Sequence, residues 1–438
     1  MSERWARTLL NGYRLAGAAV YPLIGPYVAW RASRGKEDPA RRRERYGRPS
    51  KPRPPGPIVW IHAASVGETN AVVPLVRRIL GYGVNVVLTT GTVTSARVAD
   101  EQLGERVIHQ YVPLDLKPAV DRFLDHWAPD LAIMAESEIW PMTILELGER
   151  RVPQVLVNGR LSDRSFQSWK KRPHIAEALF ENLAHVVAQS DVDGEKFQAL
   201  GARPVTVSGN LKVDVAPPAA DDAAVDLLRS QIGNRPTWAA VSTHDGEEQV
   251  AAEVHRMLRN RHSGLLTIIV PRHPERAGEL ASQMSGMGLK VVRRTSSESI
   301  APDTDILLGD TIGEMGLYLR LTEIAFVGRS LTGEGGQNPL EPAMLDTAVL
   351  SGRNVQNFRD AYQRLLDGGG ARLVRDKEML AGAVNYLLTN ESARREMMAA
   401  GATTVEAMRG ALDKTLRALD PFIHPLVVKA RLETANGG

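Results

Sequence analysis

Short apolar runs alternate with helical patterns along most of the chain, and this alternation constrains the fold more than any other feature. The runs are rich in β-branched and aromatic residues, which favour buried strands. In the first half they are Ile58–Ile61, Val84–Leu88, Val107–Val112, Leu131–Ala135, Val155–Val157, Val186–Ala188 and Val205–Val207. In the second half they are Trp238–Val241, Leu265–Val270, Lys290–Val292, Ile306–Leu308, Ile324–Val327 and Ala348–Leu350. This pattern predicts an α/β protein whose parallel sheets are covered by helices on both faces.

Two proline-rich segments divide the chain into predicted domains. The segment 51–57, KPRPPGP, precedes the first strand, and the segment 216–222, APPAADD, separates the two strand-rich halves. We therefore predict a membrane-associated segment at 1–35, a Rossmann-like domain at 36–215, a second one at 216–420 and a tail at 421–438. Two such domains of similar size predict a cleft between them. Beyond Glu378 the pattern is mostly helical, and Pro421 and Pro425 are expected to interrupt its last part.

The N-terminal segment, residues 5–30, predicts association with a membrane. No charged residue occurs from Leu15 to Trp30. This stretch is shorter than the roughly 18–20 apolar residues that span a bilayer, but its tyrosines and Trp30 suit a membrane interface. We expect an embedded or interfacial anchor, with a soluble amphipathic helix as the alternative.

A strongly basic stretch, residues 31–53, follows that segment. It favours an anionic lipid surface over a nucleic-acid arm, because Tyr46 is its only aromatic residue. Basic residues next to an anchor also predict that the rest of the chain lies on the cytoplasmic side. The chain has no cysteine, which excludes disulfides, thiolate metal sites and cysteine nucleophiles.

Carboxylates follow two strands of the first half, at the edge where open α/β sheets bind ligands. Glu68 follows the first strand, as a general base or as a favourable charge in a helix's first turn. The motif MAESEIWP places Glu136 and Glu138 after the fourth strand, and an extended backbone would put both on one face. The alternative is that they cap the next helix or pair with an arginine. With Glu68 they predict carboxylates that share one site and have pKa values driven apart.

Two later motifs of the first half add positive charge. NGRLSDRSF offers Arg160 and Arg164 to an anionic substrate, with surface salt bridges as the alternative. SGNLKVD puts Lys212 just before the linker. A lysine there can neutralise charge on a leaving phosphate, although a single lysine is usually solvated.

In the second half, anion-binding residues follow the first two strands. STHDGEE, residues 242–248, offers hydroxyls and a helix N-terminus. PRHPER supplies Arg272 and His273, and arginine binds phosphate with two hydrogen bonds. DTIGEMG then places Gly313 at the start of a helix and Glu314 in its first turn.

A glycine-rich loop follows the strand Ile324–Val327 and carries the most informative pattern of the second half. Gly333, Gly335 and Gly336 predict a flexible loop, and Asn338 and Pro339 predict a helix cap and its first residue. Such a loop before a helix binds phosphate, and Glu341 would reach ribose hydroxyls. The alternative is a plain surface turn.

Two common classes of nucleotide enzyme are disfavoured by what is missing. Neither a Walker A motif nor GxGxxG follows the first strand, which disfavours an NTPase or an NAD enzyme. No D-x-D motif or histidine cluster predicts a metal site. We therefore expect neither a metal nor a cofactor.

Taken together, the motifs resemble those of the 3-deoxy-D-manno-octulosonic acid (Kdo) transferases of lipid A assembly. They are WIHAASVGE, MAESEIWP, VNGRLSDRS, SGNLKVD, PRHPER, DTIGEMG and GGQNPLEPA, in that order. The resemblance extends from the N-terminal segment to about Phe358. The chain has SEIWPM where the family often has TELWPN, and GGQN where GGHN is common. Neither difference removes a charged group.

The resemblance implies a B-type glycosyltransferase fold, with two Rossmann-like domains that face each other across a cleft. The donor would be CMP-Kdo, bound by the second domain. The acceptor would be the tetraacylated glucosamine disaccharide precursor of lipid A, which the first domain meets at the cytoplasmic face of the inner membrane. Family members invert the anomeric centre and work without a metal.

The resemblance also implies roles for individual residues. Glu68 would be the general base, and Lys212 and Glu138 would support the transition state. Glu138 fits the spacing from Glu68 better than Glu136, which stays an alternative. The expected CMP contacts are Arg272, His273, Ile312, Gly313, Glu314, Asn338, Pro339, Leu340 and Glu341.

Two other functions fit much of the same pattern. One is a B-type glycosyltransferase that uses another nucleotide sugar, such as a UDP-sugar. The other is a non-catalytic membrane adaptor that binds a nucleotide. Several carboxylates at one predicted site argue against the adaptor.

Overall fold

A computed structural model describes residues 12, 21 and 24–436 of the protein. The described chain forms two compact units. The first comprises the chain up to Val215 together with the segment from Arg409 onward, and the second comprises Ala216–Met408. The predicted boundary between residues 215 and 216 coincides with this division.

The first unit is built on a seven-stranded sheet in the order β3-β2-β1-β4-β5-β6-β7. The strands are β1 (Ile58–Ala63), β2 (Asn85–Thr90), β3 (Ile108–Tyr111), β4 (Leu131–Ala135), β5 (Gln154–Gly159), β6 (His185–Ala188) and β7 (Val205–Val207). All neighbouring strands are parallel. The strand order reverses next to β1, with β2 on one side and β4 on the other. Ligands of open α/β sheets bind at such a reversal, beyond the carboxyl ends of the strands.

Helices and short turns connect these strands. They are α1 (Ile24–Ser33), α2 (Val66–Gly81), α3 (Val93–Leu103), α4 (Lys117–Trp127), α5 (Pro141–Glu149), α6 (Asp163–Lys170), α7 (Pro173–Phe180) and α8 (Asp191–Ala199). A 3-10 turn at Leu211–Val213 follows β7. It ends this part of the unit.

The second unit repeats the architecture around a parallel sheet in the order β10-β11-β9-β8-β12-β13-β14. Its strands are β8 (Thr237–Thr243), β9 (Leu266–Pro271), β10 (Val291–Arg293), β11 (Ile306–Leu308), β12 (Ile324–Val327), β13 (Ala348–Ser351) and β14 (Ala371–Leu373). Its helices are α9 (Asp222–Ile232), α10 (Glu247–Leu258), α11 (Ala277–Gly286), α12 (Met315–Leu319), α13 (Leu340–Met344), α14 (Arg359–Asp367), α15 (Lys377–Thr389) and α16 (Glu391–Met408). The predicted strands are confirmed within a few residues, but the short edge strand β14 was not predicted. The order reverses between β8 and β12.

The central strand β1 shows why the sequence predicts buried parallel strands. All six of its residues are buried. Val59 and Ile61 belong to the apolar cluster that includes α2, whereas Trp60 packs against Phe123 of α4 with ring centroids 4.5 Å apart. Both faces of the strand therefore need apolar side chains, and each large one contributes about 1.5–3 kcal/mol on burial.

The C-terminal segment differs from the prediction. The helix α17 spans Ala411–Asn436 without a break, although Pro421 and Pro425 lie inside it. It belongs to the first unit, so the predicted second-domain end at residue 420 and the separate tail at 421–438 are wrong. Leu419 and Ile423, one turn apart, pack into the apolar core of the first unit, and this contact holds the helix despite its prolines.

The predicted anchor at 5–30 lies largely outside the described residues. Its described helix, α1, is ten residues long. Across the part of the chain that the structure describes, no helix has the length and apolar character that crossing a membrane requires.

Part of the basic stretch at 31–53 serves the fold of the first unit. Arg45 is buried; it donates to the Gly91 carbonyl at 2.6 Å and to Glu37 at 2.9 Å. Arg41 donates to Glu44 at 2.9 Å and to the His109 carbonyl at 2.9 Å. These two arginines therefore fix the chain before β1 against the edge of the sheet.

Asp214 connects the end of the first strand-rich segment to the start of α17. Its carboxylate accepts the N–H groups of Gly410 at 2.8 Å and Leu412 at 2.5 Å.

We expect Asp214→Ala to lower the free energy of unfolding by about 1–2 kcal/mol, because two N–H groups at a helix start lose their acceptor. Urea unfolding measures this change. Asp420→Ala, at an exposed position of the same helix, is the matched control, and equal effects of the two variants would contradict the prediction.

Candidate active site

Glu68 lies in the first turn of α2, beyond the carboxyl end of β1. The Ser65 hydroxyl accepts the Glu68 N–H at 3.4 Å and donates to Glu68 Oε1 at 2.8 Å. The other oxygen, Oε2, accepts the Ala64 N–H at 2.8 Å. The Ser65 hydroxyl thus caps the helix, and the Glu68 carboxylate accepts the N–H of the residue before the cap, one position earlier than in a capping box. Glu68 therefore stabilises the start of α2, which is one of the two roles that the sequence left open.

The surroundings of Glu68 also change its acidity. Burial raises the pKa of the Glu68 carboxyl, and the carboxylates of Glu136 and Glu138 raise it further, against the opposing hydrogen bonds from Ser65 and Ala64. A general base is most effective when its pKa lies near the working pH. The capping role and a role as base are thus compatible in one side chain.

Glu136 adopts a left-handed backbone conformation directly after β4, with φ of +56°. The chain turns there, so the prediction that Glu136 and Glu138 share a face of an extended segment is wrong. Glu136 Oε1 forms an ion pair with Lys212 Nζ, and the Asn158 amide donates to the same oxygen at 3.4 Å. The left-handed turn therefore directs one glutamate toward the lysine.

Glu138 has different partners. The Trp140 indole N–H donates to Glu138 Oε2 at 2.6 Å. Nε2 of the buried His62 lies 3.5 Å from the same oxygen, while His62 Nδ1 contacts the Thr89 hydroxyl at 2.9 Å. The carboxylate thus lies between a buried side chain of β1 and an indole that is 38% exposed.

Lys212 lies on the 3-10 turn after β7. The Asn210 side chain accepts the Lys212 N–H at 3.1 Å and caps the turn. The Lys212 side chain passes Gly67 closely, since a Cβ on that glycine would lie 3.9 Å from Lys212 Cε. The structure therefore brings the three predicted catalytic residues of the first unit together. It adds Glu136 as the ion-pair partner of Lys212.

In the second unit, Arg272 and His273 follow β9 and are exposed. The Arg272 N–H donates to the Thr243 carbonyl at 2.9 Å, which ties this loop to the end of β8. The His273 ring packs edge-on against His244, with centroids 5.6 Å apart. Arg276, at the end of the same motif, forms ion pairs with Asp245 and Glu248. It therefore stabilises the loop that carries the exposed Arg272 and His273.

The segment Ile312–Glu314 follows β11 on the same edge of the second sheet. Ile312 is 64% exposed, and Gly313 has a φ of +88°. Glu314 is held in place, because it accepts from the Thr311 hydroxyl at 2.6 Å and from Arg294 at 3.0 Å. The predicted segment therefore presents an apolar side chain and backbone at this edge.

The glycine-rich loop after β12 is tied to the segment that follows β13. Gly335 has a φ of +111°, and a Cβ there would lie 2.3 Å from the Asn357 amide nitrogen. The Asn357 N–H donates to the Gly335 carbonyl at 2.7 Å. Gly336 has a φ of +71°, and a Cβ there would lie 2.9 Å from Val355 Cα. Glycine is needed here for close approach as much as for flexibility.

Helix α13 follows this loop and begins at Leu340, one residue after Pro339. The cap residue is Pro339, so the prediction of Asn338 as the cap and Pro339 as the first helical residue is wrong by one position. The Asn338 side chain, one residue before the cap, accepts the Leu340 N–H at 3.1 Å. The Asn338 amide also donates to Glu341 Oε1 at 3.2 Å. All four residues of the predicted run from Asn338 to Glu341 therefore lie in one short turn at the edge of the sheet.

Buried Glu247, the first residue of α10, holds the start of the glycine-rich loop. Its carboxylate accepts the N–H groups of His244 at 2.9 Å, Arg329 at 2.6 Å, Ser330 at 2.9 Å and Leu331 at 3.0 Å. It thereby connects the end of β8 to the loop after β12, across the reversal of strand order in the second sheet. The sequence did not identify this role.

Backbone strain occurs at the same edges. Glu136 and Asn158 follow or end β4 and β5, and Ser242 and Arg329 do so for β8 and β12; all four have φ between +52° and +56°. Such conformations are uncommon outside glycine and tend to occur at functional sites. The strain supports the strand ends as the functional edge of each unit.

Sequence patterns missed Glu247, His62 and the role of Asn158. Each is buried and acts by contacts with segments distant in the chain. The available signal was a polar side chain shortly after a predicted strand end. Within the described ranges, no group of three or more His, Asp or Glu side chains is arranged to hold a metal ion.

Comparison with known proteins gives one consistent family. The family model described as 3-deoxy-D-manno-octulosonic-acid transferase (kdotransferase) matches residues 40–215. A 3-deoxy-D-manno-octulosonic acid transferase of Haemophilus influenzae is 35% identical over 86% of this chain and 90% of its own length. That of Bordetella pertussis is 34% identical over 94% and 99%, respectively.

A solved structure of a glycosyltransferase from Rickettsia africae is similar in fold. It aligns with a TM-score of 0.58, covers 84% of this chain and 99% of its own, and is 11% identical. At this identity the likeness concerns the fold alone. It agrees with the predicted α/β architecture of two parallel sheets.

The crowded carboxylates predict a pH-dependent effect of Glu68 on stability. The pKa of Glu68 is raised in the folded state above its ordinary value of 4.5. The folded state therefore binds the proton more tightly, and the stability this provides is lost as the pH rises from 4.5 through the folded-state pKa. In Glu68→Gln the amide oxygen can accept the Ala64 N–H and the amide N–H can donate to the Ser65 hydroxyl. We expect this variant to unfold at a higher temperature than the wild type at neutral pH.

Thermal unfolding between pH 4 and 8 measures this effect. The difference between Glu68→Gln and the wild type should shrink as the pH falls toward 4.5. Glu105→Gln, at an exposed position of the same unit, should change stability equally at every pH. A constant difference for Glu68→Gln would refute the expected cost of ionising this carboxyl.

Proposed function

Because the chain belongs to the family of 3-deoxy-D-manno-octulosonic acid (Kdo) transferases, we propose that it moves Kdo from CMP-Kdo to the tetraacylated glucosamine disaccharide precursor of lipid A. The protein is a glycosyltransferase, and CMP would be its second product. The observation that carries the proposal is the half-buried Glu68 carboxyl, whose pKa is raised by desolvation and by the neighbouring carboxylates of Glu136 and Glu138. It is the group in the first unit best suited to remove a proton from a hydroxyl.

In the proposed reaction, Glu68 accepts the proton of the acceptor hydroxyl as that oxygen attacks the anomeric carbon of Kdo. The bond from this carbon to the phosphate oxygen of CMP breaks, and CMP leaves with the electron pair. A single displacement of this kind inverts the anomeric centre. CMP is a good leaving group, so the reaction needs little acid catalysis at the donor and no metal or other cofactor.

The charges around Glu68 have separate proposed roles. Lys212 offsets negative charge on the departing phosphate or on the Kdo carboxylate in the transition state. Its ion pair with Glu136 keeps the ammonium group close to Glu68. Glu138, which accepts a hydrogen bond from the Trp140 indole, would also support the transition state. Both glutamates thus stay in the proposed machinery.

The second unit would bind CMP-Kdo along the carboxyl edge of its sheet. Arg272 and His273 are exposed there and would contact the phosphate, since arginine favours this geometry. Ile312, Gly313 and Glu314 would contact the nucleoside together with the run Asn338, Pro339, Leu340 and Glu341. Glu341 has a carboxylate that can accept ribose hydroxyls.

An acylated acceptor predicts where the enzyme works. We propose that the protein acts at the cytoplasmic face of the inner membrane, where its N-terminal segment and basic residues would meet the lipid.

Variants should separate catalysis from donor binding. Glu68→Ala and Glu68→Gln should lower kcat by about 10²–10⁴-fold and leave the Kd for CMP near that of the wild type. Glu341→Ala should instead weaken CMP binding, measured by isothermal titration. Glu378→Ala, an exposed glutamate in the first turn of α15, is the control for Glu341→Ala. Equal CMP affinity in Glu68→Ala and Glu341→Ala would rule out this division of roles.

The activity itself can be tested on the detergent-solubilised protein with CMP-Kdo and the disaccharide precursor, with EDTA present. Mass spectrometry should find product heavier by whole Kdo units, absent with Glu68→Ala, and the increment gives the number of additions. Product from a UDP-sugar but not from CMP-Kdo would replace the donor in this proposal. Nucleotide binding without turnover of any sugar donor would favour the adaptor.

A further inference from the structure

We propose that Asn158 is a positioning residue that holds Glu136 and the turn carrying Lys212 in one arrangement beside Glu68. This inference rests on the proposed function for its catalytic consequence. Its structural basis is a buried side chain that contacts Glu136, one member of the ion pair, and the backbone of Leu211, the residue before the other member. Neither the family comparisons nor the sequence patterns assign it a role.

The two ends of the Asn158 amide have different partners. Nδ2 donates to Glu136 Oε1 at 3.4 Å, the oxygen that pairs with Lys212. Oδ1 accepts the Leu211 N–H at 2.9 Å, one residue before Lys212. One side chain thus orients the carboxylate and anchors the backbone beside the ammonium group. Without either contact, the position of Glu136 relative to Lys212 would be fixed less firmly.

The backbone around Asn158 supports the same arrangement. Asn158 is fully buried and has a φ of +52°, a conformation that asparagine adopts more readily than most residues. The Glu136 N–H donates to the Val157 carbonyl at 2.9 Å, and the Arg160 N–H donates to the Glu136 carbonyl at 3.3 Å. Glu136 is therefore tied to the end of β5 on both sides of Asn158.

The charge of this region explains why an amide suits the position. The charged and titratable groups that face one another are Glu68 on α2, Glu136 and Glu138 after β4, Lys212 on its turn and His62 on β1. Three carboxylates accompany one lysine. An amide donates a hydrogen bond to Glu136 and adds no charge, whereas an aspartate would accept from Leu211 equally well but face Glu136 with a second negative oxygen.

Two substitutions at Asn158 separate these effects. Asn158→Gly keeps the left-handed backbone without strain and removes both side-chain contacts. Asn158→Asp keeps the contact with Leu211 and reverses the contact with Glu136. Asn182→Asp is the matched control, because Asn182 precedes β6 at the opposite edge of the sheet, where its amide donates to the Ala178 carbonyl at 2.8 Å. It adds the same charge to the same unit.

The first measurement is the pH dependence of kcat/KM for the full-length enzyme with CMP-Kdo and the disaccharide precursor. Asn158→Asp should move the acidic limb to higher pH by roughly one unit, as expected for a nearby like charge. Asn158→Gly should lower kcat by about 10²-fold, as a misplaced catalytic group does. CMP affinity should stay at the wild-type value in both. Asn182→Asp should change none of these quantities.

The second measurement needs no turnover. Competitive acylation followed by mass spectrometry gives the reactivity of Lys212 relative to Lys196 in the folded protein. Asn158→Gly should raise the relative reactivity of Lys212, because its turn loses an anchor, and Asn182→Asp should not. Thermal unfolding confirms that each variant is folded, and Asn158→Asp replaces Asn158→Gly in the assay if the latter is not.

The outcomes distinguish this inference from the proposed function. Wild-type reactivity of Lys212 in the folded Asn158 variants would overturn the positioning role, whatever the activity. A changed reactivity with an unchanged pH profile would also overturn it, since Asn158 would then serve the fold alone. If the wild type transfers no sugar, the proposed function fails, and the acylation experiment still decides whether Asn158 holds the ion pair.

Discussion

Parallel pairing of every strand is the constraint on which both units depend. In each sheet the strands run in one direction, so all loops that follow a strand meet at one edge. Residues distant in sequence, such as Glu68 and Lys212, become neighbours for this reason alone. The reversal of strand order beside β1 and beside β8 opens a gap in the helical cover at that edge. A site forms there without any dedicated insertion.

The edge of the first sheet concentrates like charges, and this has a cost in stability. Desolvation raises the pKa of Glu68, and the nearby carboxylates of Glu136 and Glu138 raise it further. Ionising Glu68 at neutral pH therefore costs stability. Lys212 offsets part of that repulsion through Glu136. The same proximity gives a base with a suitable pKa, so stability and the proposed chemistry make opposite demands on one side chain.

The sequence predicts most of the architecture and less of the site. Apolar runs located the strands because a strand buried on both faces, such as β1, needs apolar residues at every position. They missed β14, whose Arg372 is exposed at a sheet edge. Pro421 and Pro425 predict an interruption of the last helix, but tertiary packing of Leu419 and Ile423 outweighs local propensity there. The motifs located Glu68, Glu138 and Lys212. The pairing of Lys212 with Glu136 depends on a left-handed backbone conformation at Glu136, which no sequence pattern predicts.

The two units solve the same problem with different side chains. In each unit a segment that follows one strand must be fixed against a segment that follows another; these are the segments after β4 and β7 in the first unit, and those after β8 and β12, where the strand order reverses, in the second. In the first unit the neutral Asn158 accepts a single N–H, from Leu211, in a region already crowded with carboxylates. In the second unit the carboxylate of Glu247 accepts four N–H groups at the start of α10. N–H groups and the positive end of a helix stabilise a buried negative charge. A carboxylate is suitable there because all four donors are backbone N–H groups, and the result is a firmly held start to the glycine-rich loop.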